Sequence, residues 1–219
     1  MIPVNILARN NSLLNRFLSE LRDTEIQKDR MRFRKNLERI GEIIAYELSK
    51  TMTYVEKEIT TPLAIAKCNI PAEEPVIGCI LRAGLPLHNG ILNYFDHADN
   101  GFLSAYRKHN HNDSFEIEIE YLSSSSIEDR ILILADPMLA TGSSMVLAHR
   151  AFLSKGNPKH THVVSVIASS EGVDYVRKHF PPNTTIWVAD VDDELTAQAY
   201  IVPGLGDAGD LSFGEKTDI

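Results

Sequence analysis

The chain has 219 residues, of which 43% are hydrophobic and 24% are charged, and its formal net charge is −8. This length predicts one large domain, or one domain with an extension, with a sizeable core. The acidic balance argues against an extended nucleic-acid-binding surface but is compatible with a local cationic pocket for an anionic ligand. No apolar run reaches the roughly 18 residues that a membrane-spanning helix needs.

Cysteine and histidine usage indicates a reducing compartment and gives no zinc signature. Cys68 and Cys79 stand in apolar or nearly apolar surroundings, and the sequence shows no signal peptide. We therefore expect two reduced, buried thiols in a cytoplasmic protein. The eight histidines show neither HExxH spacing nor CxxC companions, so a structural zinc site is not indicated.

The N-terminal part of the chain is predicted to be helical. Apolar residues recur at spacings of three and four in "NSLLNRFLSELRD" (11–23), which indicates one apolar face of a short helix. A longer pattern of the same kind runs from about residue 24 to residue 50, with Thr24 as its predicted N-cap. Pro62 ends any helical continuation beyond it.

After this region, β-prone runs alternate with helix-like stretches. Predicted strands are "PVIGCIL" (75–81), "GFLSAYR" (101–107), "FEIEIEYL" (115–122), "RILILA" (130–135), "HVVSVIAS" (162–169) and "TTIWVAD" (184–190). Helices are predicted for "LPLHNGILNYF" (85–95) and "EGVDYVRKHF" (171–180), and another begins near Ser144. Strict alternation in 115–122 indicates a half-exposed antiparallel strand. The overall alternation predicts an α/β fold, with a parallel sheet flanked by helices.

The stretch "ILILADPMLATGSSM" (131–145) carries the clearest chemical pattern. A buried strand stops at Asp136-Pro137, and small hydroxyl and glycine residues lead into the next helix. In open parallel sheets, ligands bind beyond the carboxyl ends of strands, where a helix N-terminus can hold an anion. A Ser-capped helix after an acid-ended strand would show the same pattern, so both interpretations stay open. A Walker loop is excluded, because no GxxxxGK[ST] occurs.

Two further polar segments suggest sites that their context disfavours. "GLGDAG" (204–209) is a literal G-x-G-x-x-G, but only ten residues follow it, so no βαβ unit can be completed. We interpret it as backbone that comes close to a flat ligand. "RKHNHNDSF" (107–115) places His109 and His111 beside Asn and Asp, yet a mobile hairpin tip is favoured over a metal site.

Four stretches together resemble one enzyme family. "ILADPMLATGSS" (133–144) resembles the phosphoribosyl-pyrophosphate (PRPP) loop of type I phosphoribosyltransferases, and its "DPMLATG" form resembles the uracil phosphoribosyltransferase branch. "ILRAGLPL" (80–87) is similar to that family's pyrophosphate loop, "AYR" (105–107) to a shorter element, and "YIVPGLGDAGDLSFG" (200–214) to its uracil-binding segment. These matches follow the family's order and cover the chain from about residue 60 onward. The resemblance implies transfer of a phosphoribosyl group from PRPP to uracil N1, which gives UMP and diphosphate.

The resemblance also implies the roles of individual residues. It assigns Asp136, Asp207 and Arg107 to catalysis, and Arg82 and Arg107 to the pyrophosphate, which guanidinium groups bind bidentately. It assigns uracil to backbone atoms of Ile201, Gly206 and Ala208, and places Asp207, also counted among the uracil-binding residues, between base and ribose. The implied PRPP-binding residues besides Arg82, Arg107 and Asp207 are Asp136, Pro137, Met138, Leu139, Ala140, Thr141, Gly142, Ser143 and Ser144. By residue type alone, both arginines would be ordinary surface charges and Asp207 an Asx-turn acid.

Two positions depart from the family's pattern. Lys108 follows Arg107 where an acid is expected, which puts the contacts of the 107–115 loop in doubt. Ser143 stands where the family often has glycine. If that position needs a positive φ, serine costs on the order of 1 kcal/mol there.

The implied architecture is a single domain, 1–219. It comprises an N-terminal helical extension (1–52), a core (60–190) with a flexible β-hairpin loop, and a C-terminal hood that binds the base (191–219). The implied cofactor is Mg²⁺, held mainly by PRPP and water, with no protein ligand assigned. The implied partners are uracil, PRPP, UMP and diphosphate, with GTP as an effector in some members. Binding to nucleic acid or to a membrane is not expected. The expected assembly is a homodimer or a homotetramer.

Three alternatives compete with this interpretation. An enzyme of the same fold could use another base, such as hypoxanthine or orotate, although "YIVPGLGDAGD" disfavours purines. A phosphoribosyltransferase-like RNA-binding regulator would need a basic face, which the net charge does not favour. A nicotinamide-dependent oxidoreductase rests only on the isolated glycine motif at 204–209.

Overall fold

The computed structural model describes residues 1–109 and 115–216, with side chains described outside 105–118. It confirms an α/β architecture. The strands are β1 (Val4–Ile6), β2 (Tyr54–Thr60), β3 (Ile65–Pro71), β4 (Val76–Leu81), β5 (Asp99–His109), β6 (Phe115–Ser123), β7 (Ile131–Ala135), β8 (Met138–Leu139), β9 (His160–Ser169), β10 (Thr184–Asp192), β11 (Glu194–Leu195) and β12 (Ile201–Val202). The α-helices are α1 (Leu13–Arg22), α2 (Arg30–Ser49), α3 (Leu85–Leu92), α4 (Ser143–Phe152), α5 (Ser170–His179) and α6 (Ala208–Phe213).

The main sheet runs in the order β1-β10-β9-β7-β4-β5-β6, and the short β8 also pairs with β9. Neighbouring strands are parallel except β5 and β6, which pair antiparallel as the alternation in 115–122 predicted. All six predicted strands are present. Because the central strands are parallel, the carboxyl ends of β4, β7, β9 and β10 meet at one edge, where ligands of such sheets bind.

Helices cover both faces of the sheet and define two apolar cores. One core joins α1, α2 and α3 to one face, and the other joins α4 and α5 to the opposite face. Helices α2 and α3 cross closely at Gly41 and Gly90: a Cβ on Gly90 would lie 1.9 Å from the carbonyl oxygen of Glu38. The strands in between are buried on both sides, which explains their unbroken apolar runs.

The start of the long N-terminal helix was predicted wrongly. Asp29, not Thr24, is its N-cap, and its carboxylate accepts the N–H groups of Met31 (3.0 Å) and Arg32 (3.1 Å). Asp23 accepts two backbone N–H groups in the preceding turn, and a 3₁₀ helix (Ile26–Lys28) follows. The two acids thus divide one apolar pattern into a turn and a helix.

Residues 54–71 form a structure that the sequence analysis did not predict. Strands β2 and β3 pair only with each other, as an antiparallel hairpin outside the main sheet, and every residue of β2 is exposed. Cys68 lies on β3 and is exposed, so the prediction of a buried thiol is wrong there, whereas Cys79 on β4 is buried. The missed signal was the aromatic and β-branched residues of "YVEKEIT" (54–60), which favour a strand.

Candidate active site

Asp136 lies at the carboxyl edge of the sheet, directly after β7, as predicted. Its backbone N–H donates to the carbonyl of Val164 on β9 (3.1 Å), so strand pairing continues one residue past β7. The carbonyl of Pro137 then accepts the N–H groups of Val166 and Ile167, both at 3.0 Å. The backbone of the loop is therefore tied to the sheet where Asp136 projects.

The middle of the loop packs against β9 and the start of α5. Met138 and Leu139 form β8 alongside β9, and the hydroxyl of Ser169 donates to the carbonyl of Ala140 (2.5 Å). A Cβ on Gly172 would lie 2.3 Å from that same carbonyl oxygen, so glycine is required for this approach. The sequence analysis missed these two supporting residues. Their signal was "SSEG" (169–172), a cluster of small residues after a buried strand.

The positive φ in the loop belongs to Gly142 and not to Ser143. Gly142 has φ +79° and is the N-cap of α4, whose first residue is Ser143. Serine at 143 is therefore unstrained, and its hydroxyl lies 2.7 Å from that of Thr141. The N-cap residue is Gly142, so the Ser-capped alternative is wrong; the Thr141 hydroxyl accepts the Ser143 N–H at 3.4 Å. The first N–H groups of this helix have no intrahelical partner and are suited to an anion.

The carboxyl group of Asp136 is electrostatically unusual. Burial raises its pKa to about 7; a hydrogen bond from the Met138 N–H opposes this rise, and the nearby charge of Asp207 adds to it. The carboxylate of Asp207, from a distant part of the chain, is thus near enough to affect the charge of Asp136. Groups with strongly shifted pKa values cluster at functional sites, because catalysis uses ionisable groups that are partly buried and lie close to other charges.

Arg82 follows β4 in the loop predicted to contact pyrophosphate. Its Nη2 donates to Asp210 Oδ1 (2.7 Å) and to the carbonyl of Gly214 (2.6 Å), both in the C-terminal segment. Among the described residues, no atom accepts a hydrogen bond from its buried Nε. A Cβ on Gly84 would lie 2.6 Å from the Ile80 carbonyl oxygen, so glycine allows this turn to close tightly over β4.

The C-terminal segment exposes backbone that carries no side chain at Gly206. Ile201 and Ala208 are buried, whereas Gly206 is exposed with φ +90°. Asp207 is the N-cap of the short α6 and accepts the N–H of Asp210 at 2.9 Å. The Asx-type role weighed for Asp207 is therefore present. The glycine motif opens a six-residue helix near the chain's end, which is not a dinucleotide-binding βαβ unit.

A cleft of about 390 Å³ lies beside this segment. The 3₁₀ helix at 26–28 and the start of α2 line it together with the C-terminal segment. The sequence analysis had assigned base binding to the C-terminal segment alone. Its lining residues are Gln27, Lys28, Arg30, Gly206, Asp207, Asp210, Leu211 and Glu215.

Comparison with known proteins agrees with this geometry. A model of the family described as uracil phosphoribosyltransferase matches residues 8–215. The chain belongs to the uracil phosphoribosyltransferase family. It is 57% identical to the uracil phosphoribosyltransferase of Porphyromonas gingivalis over 210 residues, which is 96% of this chain and 97% of that protein.

Solved structures agree on the fold of this family member. The AQ2163 protein from Aquifex aeolicus superposes with a TM-score of 0.85 at 31% identity, covering 96% of this chain and 98% of its own. Orotate phosphoribosyltransferase from Mycobacterium tuberculosis has a TM-score of 0.50 at 11% identity, covering 85% and 94%. The expectation of a type I phosphoribosyltransferase fold and of a pentosyl-transferring enzyme is confirmed.

Arg107 is the one predicted catalytic residue whose surroundings lie outside the described side chains. Its backbone belongs to β5 and pairs with Ile117 of β6, so the predicted hairpin strands are present. The predicted loop tip, including His111, lies outside the described residues. The roles of Arg107 and of this loop stay predictions.

The described residues contain neither a cluster of metal-binding side chains nor a helix that could span a membrane. Among the side chains that the structure describes, in residues 1–104 and 119–216, no three His, Cys, Asp or Glu residues converge as a metal-binding set. In the same ranges, no helix combines the length and the apolar character needed to cross a bilayer.

Proposed function

We propose that the space between the 136–144 loop and the 201–208 segment is where the phosphoribosyl group passes from PRPP to uracil N1, forming UMP and diphosphate. The observation that carries this proposal is that the turn after β4 links the two segments: Gly84 packs on the carbonyl of Ala135, next to Asp136, and Arg82 binds Asp210, in the helix that Asp207 caps. Family membership supports uracil as the base. The test is UMP formation from uracil and PRPP, with hypoxanthine and orotate as competing bases. No UMP at saturating PRPP would overturn it.

The two halves of PRPP fit two separate parts of the site. The N–H groups of the first turn of α4, with the hydroxyls of Thr141 and Ser143, bind the 5′-phosphate. Asp136 accepts hydrogen bonds from the ribose hydroxyls. Arg82 binds the pyrophosphate, for which its buried Nε is an available donor. Arg107, from β5, is assigned to the same group by family resemblance.

Uracil is bound by main-chain groups of the C-terminal segment. Its O2 and O4 accept and its N3–H donates, so backbone N–H and C=O groups of Ile201, Gly206 and Ala208 match it. The exposed left-handed turn at Gly206 supports this assignment, because it offers peptide groups without a covering side chain. Asp207 lies between base and ribose in this arrangement.

The chemistry needs alignment and charge stabilisation more than covalent help. Uracil N1 forms a bond to ribose C1 as the bond from C1 to the pyrophosphate oxygen breaks, through an oxocarbenium-like state. The bond's electrons leave with the pyrophosphate, whose charge Arg82 and Arg107 stabilise. The N1 proton must depart as well, and Asp207 is the candidate acceptor.

Mg²⁺ is the proposed cofactor. Asp136 and Asp207 fit it, because carboxylate oxygens on facing segments suit a hard cation that keeps its water shell. These two residues would hold the ion through its waters, with PRPP oxygens supplying the direct ligands. When bound, the ion neutralises charge that develops on the departing pyrophosphate. Omission of Mg²⁺ from the assay should abolish UMP formation.

The proposed assembly is a homodimer or homotetramer, and the β2–β3 hairpin supports it. Isolated two-stranded sheets are marginally stable in water, yet this one exposes Leu63 (98%), Ile65 (66%) and Val55 (47%). A second copy of the chain would cover these side chains. Light scattering should give a mass of two or four chains, and Leu63→Asp should lower it. A monomeric wild-type protein would contradict the proposal.

The remaining assignments follow family resemblance only. We propose a single domain over 1–219, with 1–52, 60–190 and 191–219 as its helical extension, core and base-binding part. Cytoplasmic localisation is proposed as well, and the two free cysteines are compatible with a reducing compartment. GTP is the candidate effector, and initial rates with and without GTP at subsaturating PRPP would reveal activation.

A further inference from the structure

Gly204 is held at both of its backbone polar groups by side chains. Its N–H donates to Asp192 Oδ2 (3.0 Å), and its carbonyl accepts from Arg22 Nη1 (3.0 Å). The residue is buried with φ +60°, and a Cβ there would lie 2.0 Å from the Ile201 carbonyl oxygen. The turn is therefore one that only glycine can make, and its peptide groups are fixed from two sides.

The two clamping side chains also bind each other. Arg22 Nη1 lies 2.8 Å from Asp192 Oδ2, and its Nη2 lies 2.8 Å from Asp192 Oδ1, which is the bidentate geometry that suits guanidinium and carboxylate. Nη2 also donates to Asp190 at 3.0 Å. The side chain of Asp192 is only 6% exposed, so water competes little for this pair.

This cluster joins three elements at one point. Arg22 is the last residue of α1, Asp190 and Asp192 end β10, and Gly204 lies between Ile201 and Gly206. When a ligand is recognised by main-chain groups, its affinity depends on where the main chain lies, to within about half an ångström. Here the main chain at Gly204 is held in position by the side chains of Arg22 and Asp192.

We propose that Arg22 and Asp192 are positioning residues that fix the uracil-binding backbone through Gly204, so that α1 controls affinity for the base. The inference rests on the proposed binding of uracil to residues 201–208. Among the described residues, the hydrogen bonds of Arg22 and Asp192 side chains link α1, β10 and Gly204, and none reaches the 136–144 loop. It should therefore affect uracil and leave PRPP nearly untouched.

The test is a comparison of the two Michaelis constants in Arg22→Met and Arg22→Lys. Arg22→Met should raise KM for uracil about tenfold or more, while KM for PRPP changes less than about twofold. Arg22→Lys keeps a positive charge for Asp192 but lacks the guanidinium group, which can bind Asp192, Asp190 and Gly204 together. It should therefore raise KM for uracil by less than Arg22→Met does, again with little change in KM for PRPP.

Arg130→Met is the matched control. Arg130 also pairs with a carboxylate, that of Asp99, and donates to two backbone carbonyls, those of Glu74 and Pro75, but at the opposite edge of the sheet. It should lower the melting temperature without a selective change in KM for uracil. If Arg22→Met does not fold, Arg22→Lys carries the comparison.

Two results would overturn the proposal that Arg22 and Asp192 position the uracil-binding backbone. One is a wild-type KM for uracil in a folded Arg22 variant, and the other is an equal rise in both Michaelis constants. Failure of the proposed function looks different, because then the wild-type enzyme itself forms no UMP from uracil.

Discussion

The Nη2 atom of Arg82 lies 2.7 Å from Asp210 Oδ1, so the loop after β4 and the C-terminal segment are joined by an ion pair. Both side chains are about one third exposed. Asp210 is also the residue whose N–H is accepted by Asp207. The two segments to which we assign pyrophosphate and uracil are thus connected through the first turn of α6.

Asp210→Ala should weaken PRPP binding by removing the group that orients Arg82. We expect KM for PRPP to rise about tenfold, as is typical for loss of one hydrogen bond to a charged group. Asp210→Asn keeps an acceptor and should raise it less than about threefold. Initial rates at varied PRPP with saturating uracil measure both. A lower KM in Asp210→Ala would show instead that Asp210 competes with PRPP for Arg82.

Gly142→Ala should be costly, and Ser143→Gly nearly neutral. A left-handed φ costs an L-residue roughly 1–2 kcal/mol, and the new Cβ would lie 2.9 Å from the Gly172 carbonyl oxygen. Ser143 has helical backbone, so glycine there should cost about 0.5 kcal/mol or less. Urea unfolding of both variants checks the contrast. Equal losses of stability would mean that the positive φ is not a constraint.

Asp136→Asn should stabilise the ligand-free protein at high pH and have little effect at low pH. The folded-state pKa of Asp136 is raised to about 7, so between about pH 4 and pH 7 the unfolded chain loses this proton first. The free energy of unfolding of the wild-type protein therefore falls as the pH rises from about 4 to about 7. Asparagine does not titrate, so the free energy of unfolding of the variant does not fall in this way.

Melting curves at pH 5 and pH 8, without PRPP or Mg²⁺, measure this difference. At pH 8 the variant should melt more than about 3 °C higher, which corresponds to about 1 kcal/mol in a chain of this size. Asp96→Asn removes a highly exposed acid and should change neither curve. An equal effect of Asp136→Asn at both pH values would contradict the raised pKa.

Asp207→Asn separates the charge of this residue from its structural role. Asparagine is as good an N-cap as aspartate, so α6 and the melting temperature should be preserved. If Asp207 accepts the N1 proton, kcat should fall at least about a hundredfold, the usual contribution of a general base. Near-normal turnover in this variant would exclude Asp207 as the base and leave it as the cap of α6.

The contiguous part of the site could be predicted from the sequence. Asp136 and the loop up to Ser144 are consecutive, and their strand–turn–helix setting follows from local periodicity and small residues. The main strands were also predictable, because burial on both faces makes them unbroken apolar runs. The resemblance to a family added roles for Arg82 and the 201–208 segment that residue types alone left open.

Local rules failed where two residues compete for one role. Thr24 and Asp29 are both acceptable N-caps, and the structure places a 3₁₀ helix at 26–28 between them, so that the long helix begins after Asp29. Gly142 and Ser143 are neighbours, and the positive φ could be placed at Gly142 only from the backbone itself. The exposure of Cys68 likewise depended on whether its strand joins the main sheet, which its own residues do not state.

What the sequence determined by itself is therefore the type of fold, the family and the strand–loop–helix unit around Asp136, since each is encoded in neighbouring residues. Tertiary structure alone decided which distant groups support that chemistry. Ser169 and Gly172 under the loop, Asp210 beside Arg82, and Arg22 with Asp192 on Gly204 all act across long sequence separations. Their partners are chosen by the packing of whole elements, and no local pattern records that choice.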